Sequence, residues 1–200
     1  MAFIKRTRED ILSSILDVVH QHGFRATGLK ELLAASQAST GSIYNYFGDK
    51  DKLGHALIDY QWQNMRNKII WPAIASHDKP IDQLLAIIDA IEQRHLHEPN
   101  CAGCLLGNLI VDLAGSNDSF RRHLMTVFDE WQSIFTELLK RGSQQLKPEI
   151  VPEELAEQLL TCIEGTLLMS RLYDHGDERH RLRRGFHYIR QLLKEACVEG

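Results

Sequence analysis

Apolar residues recur at helical spacing along almost the whole chain. The first predicted helix, for example, places on one face Ile11, Ile15, Val18 and Val19. The strict alternation of apolar and polar residues that indicates strands is nearly absent. The pattern therefore predicts an all-α protein of about nine helices.

Capping residues, glycines and prolines set the expected helix ends. Helix starts are predicted at Thr7, Thr27, Asp49, Asp118 and Pro152. Gly23 is expected to end the first helix, and Pro72 to stop a long fourth helix, within which we place the boundary between two modules. The segment CAGCLLGNLIVDLAG, residues 101–115, is apolar on nearly every side, which predicts a short buried helix.

The segment ASTGSIYNYFGDK, residues 38–50, combines a predicted helix with unusually polar exposed positions. On a helical wheel, Ile43 and Phe47 share one side. The other side carries Gly41, Ser42 and Asn45, flanked by Tyr44 and Tyr46. A helical glycine costs about 1 kcal/mol relative to alanine, so local stability does not explain Gly41. Small hydroxyls, an amide and two phenols suit base edges in a DNA major groove, and a glycine lets the backbone approach closely.

Residues 28–47 have the outline of a helix-turn-helix, in which two short helices flank a tight turn. Thr27 and Lys50 stand at helix starts, where backbone amides and the helix dipole can hold DNA phosphates. Lys5, Arg6 and Arg8 form a short basic arm. From spacing alone, an αα-hairpin with a solvated polar face remains an equal alternative.

Charge and composition narrow the class of protein. The 200 residues carry a formal net charge of -4, which argues against a general polyanion binder, although residues 1–55 hold seven Lys and Arg against six acidic residues. No apolar run has the length of a membrane span, and the N-terminal sequence lacks a signal-peptide pattern. We expect a cytoplasmic protein of one or two domains whose four cysteines are reduced thiols.

The stretch TGLKELLAASQASTGSIYNYFGDKDKL, residues 27–53, resembles the DNA-binding signature of TetR/AcrR-family transcriptional regulators. The matching positions are Thr27, Ser39, Gly41, Ile43, Tyr44, Tyr46, Phe47, Lys50 and Leu53. The resemblance implies a three-helix DNA-binding domain over residues 1–50 and a helical ligand-binding and dimerisation domain over residues 51–200. It implies that the DNA-binding residues are Thr27, Ser39, Thr40, Gly41, Ser42, Tyr44, Asn45, Tyr46 and Lys50. The family turn usually reads Ala-Gly-Val, whereas this chain has Ser36, Gln37 and Ala38, so a left-handed Gln37 would carry strain of about 1 kcal/mol.

The same resemblance implies a repressor that binds a palindromic operator as a homodimer and is released by a small-molecule inducer, without a cofactor. Candidate ligand-binding residues are Leu105, Asn108, Leu109, Phe128, Trp131, Phe135 and Met169. Candidate dimer-interface residues are Ile163, Gly165, Thr166, Leu167, Ser170, Phe186, Ile189 and Leu193. Apolar periodicity cannot distinguish these roles from packing inside the protomer's own core.

Two alternatives involve other chemistry. The segment HLHEPNCAGC contains His95, His97, Cys101 and Cys104, and Cys101 with Cys104 could act as a redox pair in a thiol- or metal-responsive sensor, although this spacing is a weak zinc signature. The second alternative is a helical enzyme. The sequence contains no nucleophile elbow, phosphate-cradling glycine loop or metalloprotease helix to support it. We therefore expect a DNA-binding regulator rather than an enzyme, with no bound metal.

Overall fold

A computed structural model describes residues 6–98, 102–173 and 176–198, and these ranges are helical almost throughout. The helices are α1 Arg8–His22, α2 Leu29–Ser36, α3 Thr40–Phe47, α4 Lys50–Met65, α5 Trp71–Ala75, α6 Pro80–His97, α7 Leu105–Leu109, α8 Asp118–Arg141, α9 Pro152–Ser170 and α10 Asp177–Glu195. A π-helical turn, Arg66–Ile70, joins α4 to α5, and a second, Ile110–Ala114, extends α7. Within the described ranges, the one β feature is the isolated bridge between Leu146 and Cys197. The all-α prediction is confirmed.

Helices α1, α2 and α3 form an N-terminal head. The predicted start of α1 is confirmed, because the Thr7 hydroxyl accepts from the Asp10 N–H at 3.1 Å and the Asp10 carboxylate accepts from the Thr7 N–H at 2.9 Å. The predicted cap of α2 is wrong. Gly28 holds that position, and its N–H donates to Glu31 Oε2 at 2.7 Å. The Thr27 hydroxyl instead donates to the Gly23 carbonyl at 2.6 Å.

Helix α4 leaves the head and continues into the second domain. Asp49 caps it as predicted, with Oδ1 accepting from the Lys52 N–H at 2.7 Å. The prediction that Pro72 stops this helix is wrong, because the helical segment runs on to Ala75. The π turn before Pro72 changes the hydrogen-bond register at the position where a proline ring would otherwise collide with the preceding turn.

Helix α8 lies at the centre of the C-terminal domain and packs against α6 and α9. Its cap is Asn117 rather than the predicted Asp118, since Asn117 Oδ1 accepts from the Ser119 N–H at 2.9 Å. Pro152 begins α9 as predicted. Helices α9 and α10 pack closely together, with Thr166 against Gly185. In the ranges given above, no helix has both the length and the apolarity that a membrane crossing requires.

Candidate DNA-binding face and effector cavity

Helix α3 presents its polar side to solvent. Ile43 and Phe47 are buried in the head, whereas Tyr44 is 52% exposed and Asn45 is exposed beside it. A β-carbon on Gly41 would meet only Ser39 Oγ, at 3.8 Å, so the backbone here faces open space. The fold therefore places the predicted face where a duplex can reach it, while contact with DNA remains a prediction.

Three other predicted contact residues, Ser39, Ser42 and Tyr46, interact with neighbouring residues of the head. Ser39 caps α3, since its Oγ accepts from the Ser42 N–H at 3.0 Å and lies 2.9 Å from the Ser42 hydroxyl. Tyr46 is partly buried, and its ring centroid lies 6.2 Å from that of Phe47. Thr40 is exposed. The most accessible polar groups are thus at the start of α3 and at its Tyr44–Asn45 side.

Gln37 ends α2 in the left-handed conformation, with φ 52° and ψ 24°. The turn has glutamine where glycine is usual in the family, so this left-handed conformation carries strain of about 1 kcal/mol. The Gln37 side chain is held by the basic arm, because Arg6 Nη2 donates to Gln37 Oε1 at 2.9 Å. The turn therefore keeps its helix-turn-helix geometry without a glycine.

The two predicted phosphate contacts have different outcomes. Thr27 is completely buried and its hydroxyl is used inside the head, so its side chain cannot reach a phosphate; this prediction is wrong for the side chain. Lys50 is partly exposed. Its ammonium donates to the Thr27 carbonyl at 2.7 Å and to the Arg25 carbonyl at 3.3 Å, and it lies 5.1 Å from the Phe24 ring centroid. An ammonium has three donors, so one remains for a phosphate.

We expect Lys50→Met to lower the free energy of unfolding by about 1 to 2 kcal/mol, because two carbonyls lose their charged donor. The matched control is Lys52→Met, which removes the same charge from the same helical turn. Lys52 makes only an exposed ion pair with Asp49, and its loss should change stability by less than about 0.5 kcal/mol. Urea denaturation measures both; equal effects of the two variants would contradict the structural role of Lys50.

A cavity of about 480 Å³ lies between α7, α8 and α9. This volume is in the range of small-molecule sites in proteins. Its lining residues come from the start of α7 and its π turn, from the middle of α8 and from one face of α9. They are Cys104, Gly107, Asn108, Ile110, Val111, Phe128, Gln132, Glu157, Leu160, Thr161, Glu164, Gly165 and Leu168.

Two of the predicted ligand-binding residues, Asn108 and Phe128, line this cavity. The others lie elsewhere. Trp131 and Phe135 are fully buried in the core of α8, and Met169 is exposed on another face of α9. Leu105 and Leu109 are buried and line a separate pocket against α1. Contrary to the expectation of a fully buried segment, Ile110 and Val111 are exposed, and both border the cavity.

Glu164, which sequence reasoning missed, reaches from α9 to the first turn of α7. A β-carbon on Gly107 would lie 2.2 Å from Glu164 Oε2, so the carboxylate fits only over a glycine. The other oxygen, Oε1, is sealed from solvent and has no hydrogen-bond partner among the described residues. Burial raises the pKa of Glu164 to about 7, outweighing a hydrogen bond with Cys104 that favours the charged form. The sequence signal that could have found Glu164 is its i, i+7 spacing from Glu157, which places both carboxylates on one face of α9.

The Asp112 carboxylate connects the extension of α7 to the head. Its Oδ2 accepts from the N–H of Phe24 at 2.7 Å and from the N–H of Arg25 at 3.0 Å. The Phe24 ring packs edge-on against Phe120 of α8, with centroids 6.1 Å apart. We call these two hydrogen bonds the Asp112 contact. It fixes the loop between α1 and α2 against the C-terminal domain.

Comparisons with known proteins agree with this architecture. Residues 11–57 match the family described as bacterial regulatory proteins, tetR family, and residues 80–186 match the family described as tetracyclin repressor-like, C-terminal domain. The chain belongs to the TetR family of transcriptional regulators. The resemblance found in residues 27–53 is confirmed.

Individual relatives of this TetR-family chain are distant but match most of its length. It is 25% identical to the transcriptional regulator AcuR of Cereibacter sphaeroides over 185 residues, which cover 90% of this chain and 84% of AcuR. It is 22% identical to the transcriptional repressor DhaR of Mycobacterium sp. over 82% of each chain. A TetR-family structure from Cytophaga hutchinsonii superposes with a TM-score of 0.82 at 21% identity, covering 100% of this chain and 99% of that one. This structural likeness concerns the fold.

Most residues predicted for the interface of a TetR-family dimer lie inside the protomer. The buried ones are Ile163, Leu167, Ser170, Phe186, Ile189 and Leu193. They pack in the protomer's own core, and their role at a dimer interface stays a prediction, because a core face and an interface face have the same apolar periodicity. Thr166 packs against Gly185 of the same chain, and Gly165 is exposed with open space before it. Exposed apolar residues towards the end of α9 and on α10 are Leu168, Met169, Leu172 and Tyr188.

Of the two cysteines proposed as a redox pair, Cys104 is described and Cys101 lies outside the described residues. Cys104 is buried at the start of α7, where its sulfur accepts from the Gly107 N–H at 3.5 Å. Burial, and secondly the neighbouring Glu164, raise the pKa of the Cys104 thiol well above its ordinary value. A protonated, enclosed thiol is a poor nucleophile. Within the described ranges, no group of three potential ligands is placed to hold a metal ion.

Proposed function

We propose that this chain is a ligand-responsive repressor that binds a palindromic operator as a homodimer in the cytoplasm and is released by a small-molecule inducer. The supporting observation is that the cavity and the head share one structural element. The π turn Ile110–Ala114 contributes Ile110 and Val111 to the cavity and Asp112 to the contact with the head. The repressor name of the relative DhaR supports repression rather than activation.

Release follows from ordinary linkage. A ligand that binds better to a conformation whose two heads do not fit one operator shifts the protein toward that conformation by its difference in affinity. Because Ile110, Val111 and Asp112 belong to one turn, filling the cavity moves the hydrogen-bond acceptor that holds Phe24 and Arg25. The position of α2, and of α3 behind it, then depends on cavity occupancy.

Dimerisation supplies the second half-site, because one short recognition helix makes too few contacts for a tight specific complex. We place the partner on the exposed side of α9 and α10, where Leu172 is 70% exposed and Tyr188 61% exposed. Covering these apolar side chains removes them from contact with water, which favours association. A charged substitution, Leu172→Glu, should therefore shift the protein toward monomer in sedimentation measurements.

Tyr44→Ala should weaken binding to the operator at least about tenfold, because a side chain that reads a base edge contributes about 1 to 3 kcal/mol of discrimination. Binding to unrelated DNA should change little, since phosphate contacts dominate it. Fluorescence anisotropy with both DNA sequences at fixed salt measures the two affinities.

The matched control for Tyr44→Ala is Met125→Ala, which truncates a side chain of equal exposure, 52%, on α8. This control should bind both DNA sequences like the wild-type protein. Unchanged operator affinity in Tyr44→Ala, or an equal loss for operator and unrelated DNA, would contradict the assignment of α3 as the helix that reads sequence.

A further inference from the structure

The charged residues that line the cavity between α7, α8 and α9 are all acidic. Its described lining contains two carboxylates, Glu157 and Glu164, and neither lysine, arginine nor histidine. Glu157 is exposed at the rim, whereas the Glu164 carboxylate lies deeper, against Gly107. An anionic ligand would meet repulsion here, and a cationic ligand would meet attraction.

Glu164 also has an unused hydrogen-bond acceptor. Its Oε1 is shielded from water without a donor from the described part of the chain. A buried acceptor without a donor is unfavourable, and buried polar atoms in folded proteins nearly always have partners. A ligand that carries an N–H donor into the cavity would satisfy this oxygen, and a positively charged donor would form the stronger hydrogen bond.

The rest of the wall is mainly apolar. Ile110, Phe128, Leu160 and Leu168 surround the space beside the carboxylate, and Val111 at its edge is 74% exposed. Covering these side chains favours an apolar ligand body. The face of the Phe128 ring can also attract a cation through a cation–π interaction.

We propose that this cavity binds an organic ammonium ion, whose protonated amine donates to Glu164 and whose apolar body packs against Phe128, Leu160 and the turn Ile110–Ala114. The inference rests on the proposed function, in which this cavity holds the inducer. It adds the chemical class of that ligand and the residue that selects it.

The affinity for such a ligand depends on pH. Around Glu164, α7 contributes the Cys104 thiol, α9 contributes Glu157, and α8 contributes Phe128 and Gln132, which do not titrate. Because burial raises the pKa of Glu164 to about 7, its charged form grows about tenfold between about pH 6 and about pH 8. An alkylamine stays protonated over this range, so its affinity should rise with pH by up to about tenfold.

The test compares three probes of similar shape and different charge: 2-phenylethylamine, 2-phenylethanol and phenylacetate. Calorimetry with the full chain, free of DNA, measures binding of each at about pH 8. The amine should bind at least about tenfold more tightly than the alcohol or the acid, a difference of about 1.4 kcal/mol. Glu164→Gln should abolish this preference, whereas the control Glu157→Gln should retain most of it.

Several results would overturn the inference. They are an amine that fails to bind at millimolar concentration, an alcohol or acid that binds as tightly, or an undiminished preference for the amine in Glu164→Gln. If Glu164→Gln does not fold, the pH dependence in the wild-type protein decides: equal amine affinity at about pH 6 and about pH 8 would also overturn it.

Because binding is measured without DNA, the inference and the proposed function can fail separately. An amine that binds through Glu164 but leaves the operator complex intact supports the ligand class and counts against its role as inducer. An operator complex that is released only by a neutral or anionic compound supports the repressor and overturns the ammonium site.

Discussion

Glu164→Gln is expected to stabilise the protein by about 3 kcal/mol at about pH 8 and to leave stability nearly unchanged at about pH 4.5. Burial raises the pKa of Glu164 from 4.5 to about 7. Between these values the folded chain binds more protons than the unfolded chain, so wild-type stability falls as pH rises through this window. Each unit of pKa difference corresponds to about 1.4 kcal/mol, and glutamine does not titrate.

Urea denaturation at both pH values, at one protomer concentration, measures this difference; the fixed concentration matters if the folded state is a dimer. The control is Glu157→Gln, which removes an exposed carboxylate from the same helix and should change stability by less than about 0.5 kcal/mol at either pH. A Glu164→Gln protein whose stability follows that of the wild-type protein at every pH would show that the carboxylate is not held in a poorly solvated site.

The head could be predicted in detail because its determinants are local in sequence. Ile43 and Phe47 are one helical turn apart, so periodicity alone shows which side of α3 is buried. Gln37 stands where the family's turn usually has glycine, and it adopts the left-handed conformation considered for that position. The predicted cap of α2 was one residue too early, because both Thr27 and Gly28 suit a helix start and only the observed hydrogen bonds of Thr27 with Gly23 and of Gly28 with Glu31 distinguish them.

The lining of the cavity could not be predicted in the same way, since it depends on which elements meet. The Glu164 carboxylate lies against α7 only because Gly107, on a different helix, lets it approach. Ile189 and Leu193 have the spacing of an interface, yet they face the core of their own protomer. Sequence periodicity shows that a helix face is buried, but the partner that covers it comes from the tertiary structure.

Asp112→Ala is expected to lower the free energy of unfolding by about 2 to 3 kcal/mol, because two backbone N–H groups, those of Phe24 and Arg25, lose a charged acceptor. Asp112→Asn is the matched variant. It keeps an oxygen of similar geometry without the charge and should show about half the loss. Urea denaturation gives the free energies, and hydrogen exchange of the peptide covering residues 23–28 should accelerate in Asp112→Ala.

This second prediction also tests the connection between the cavity and the head. Asp112 follows Ile110 and Val111, which line the cavity, and it holds the loop that leads into α2. If the Asp112 contact carries the coupling, a ligand in the cavity should alter exchange at residues 23–28 in the wild-type protein and lose that effect in Asp112→Ala. If Asp112→Ala without ligand shows the same exchange at residues 23–28 and the same stability as the wild-type protein, the loop is held by Phe24 packing alone. The cavity would then act on the head through α4 and α8 instead.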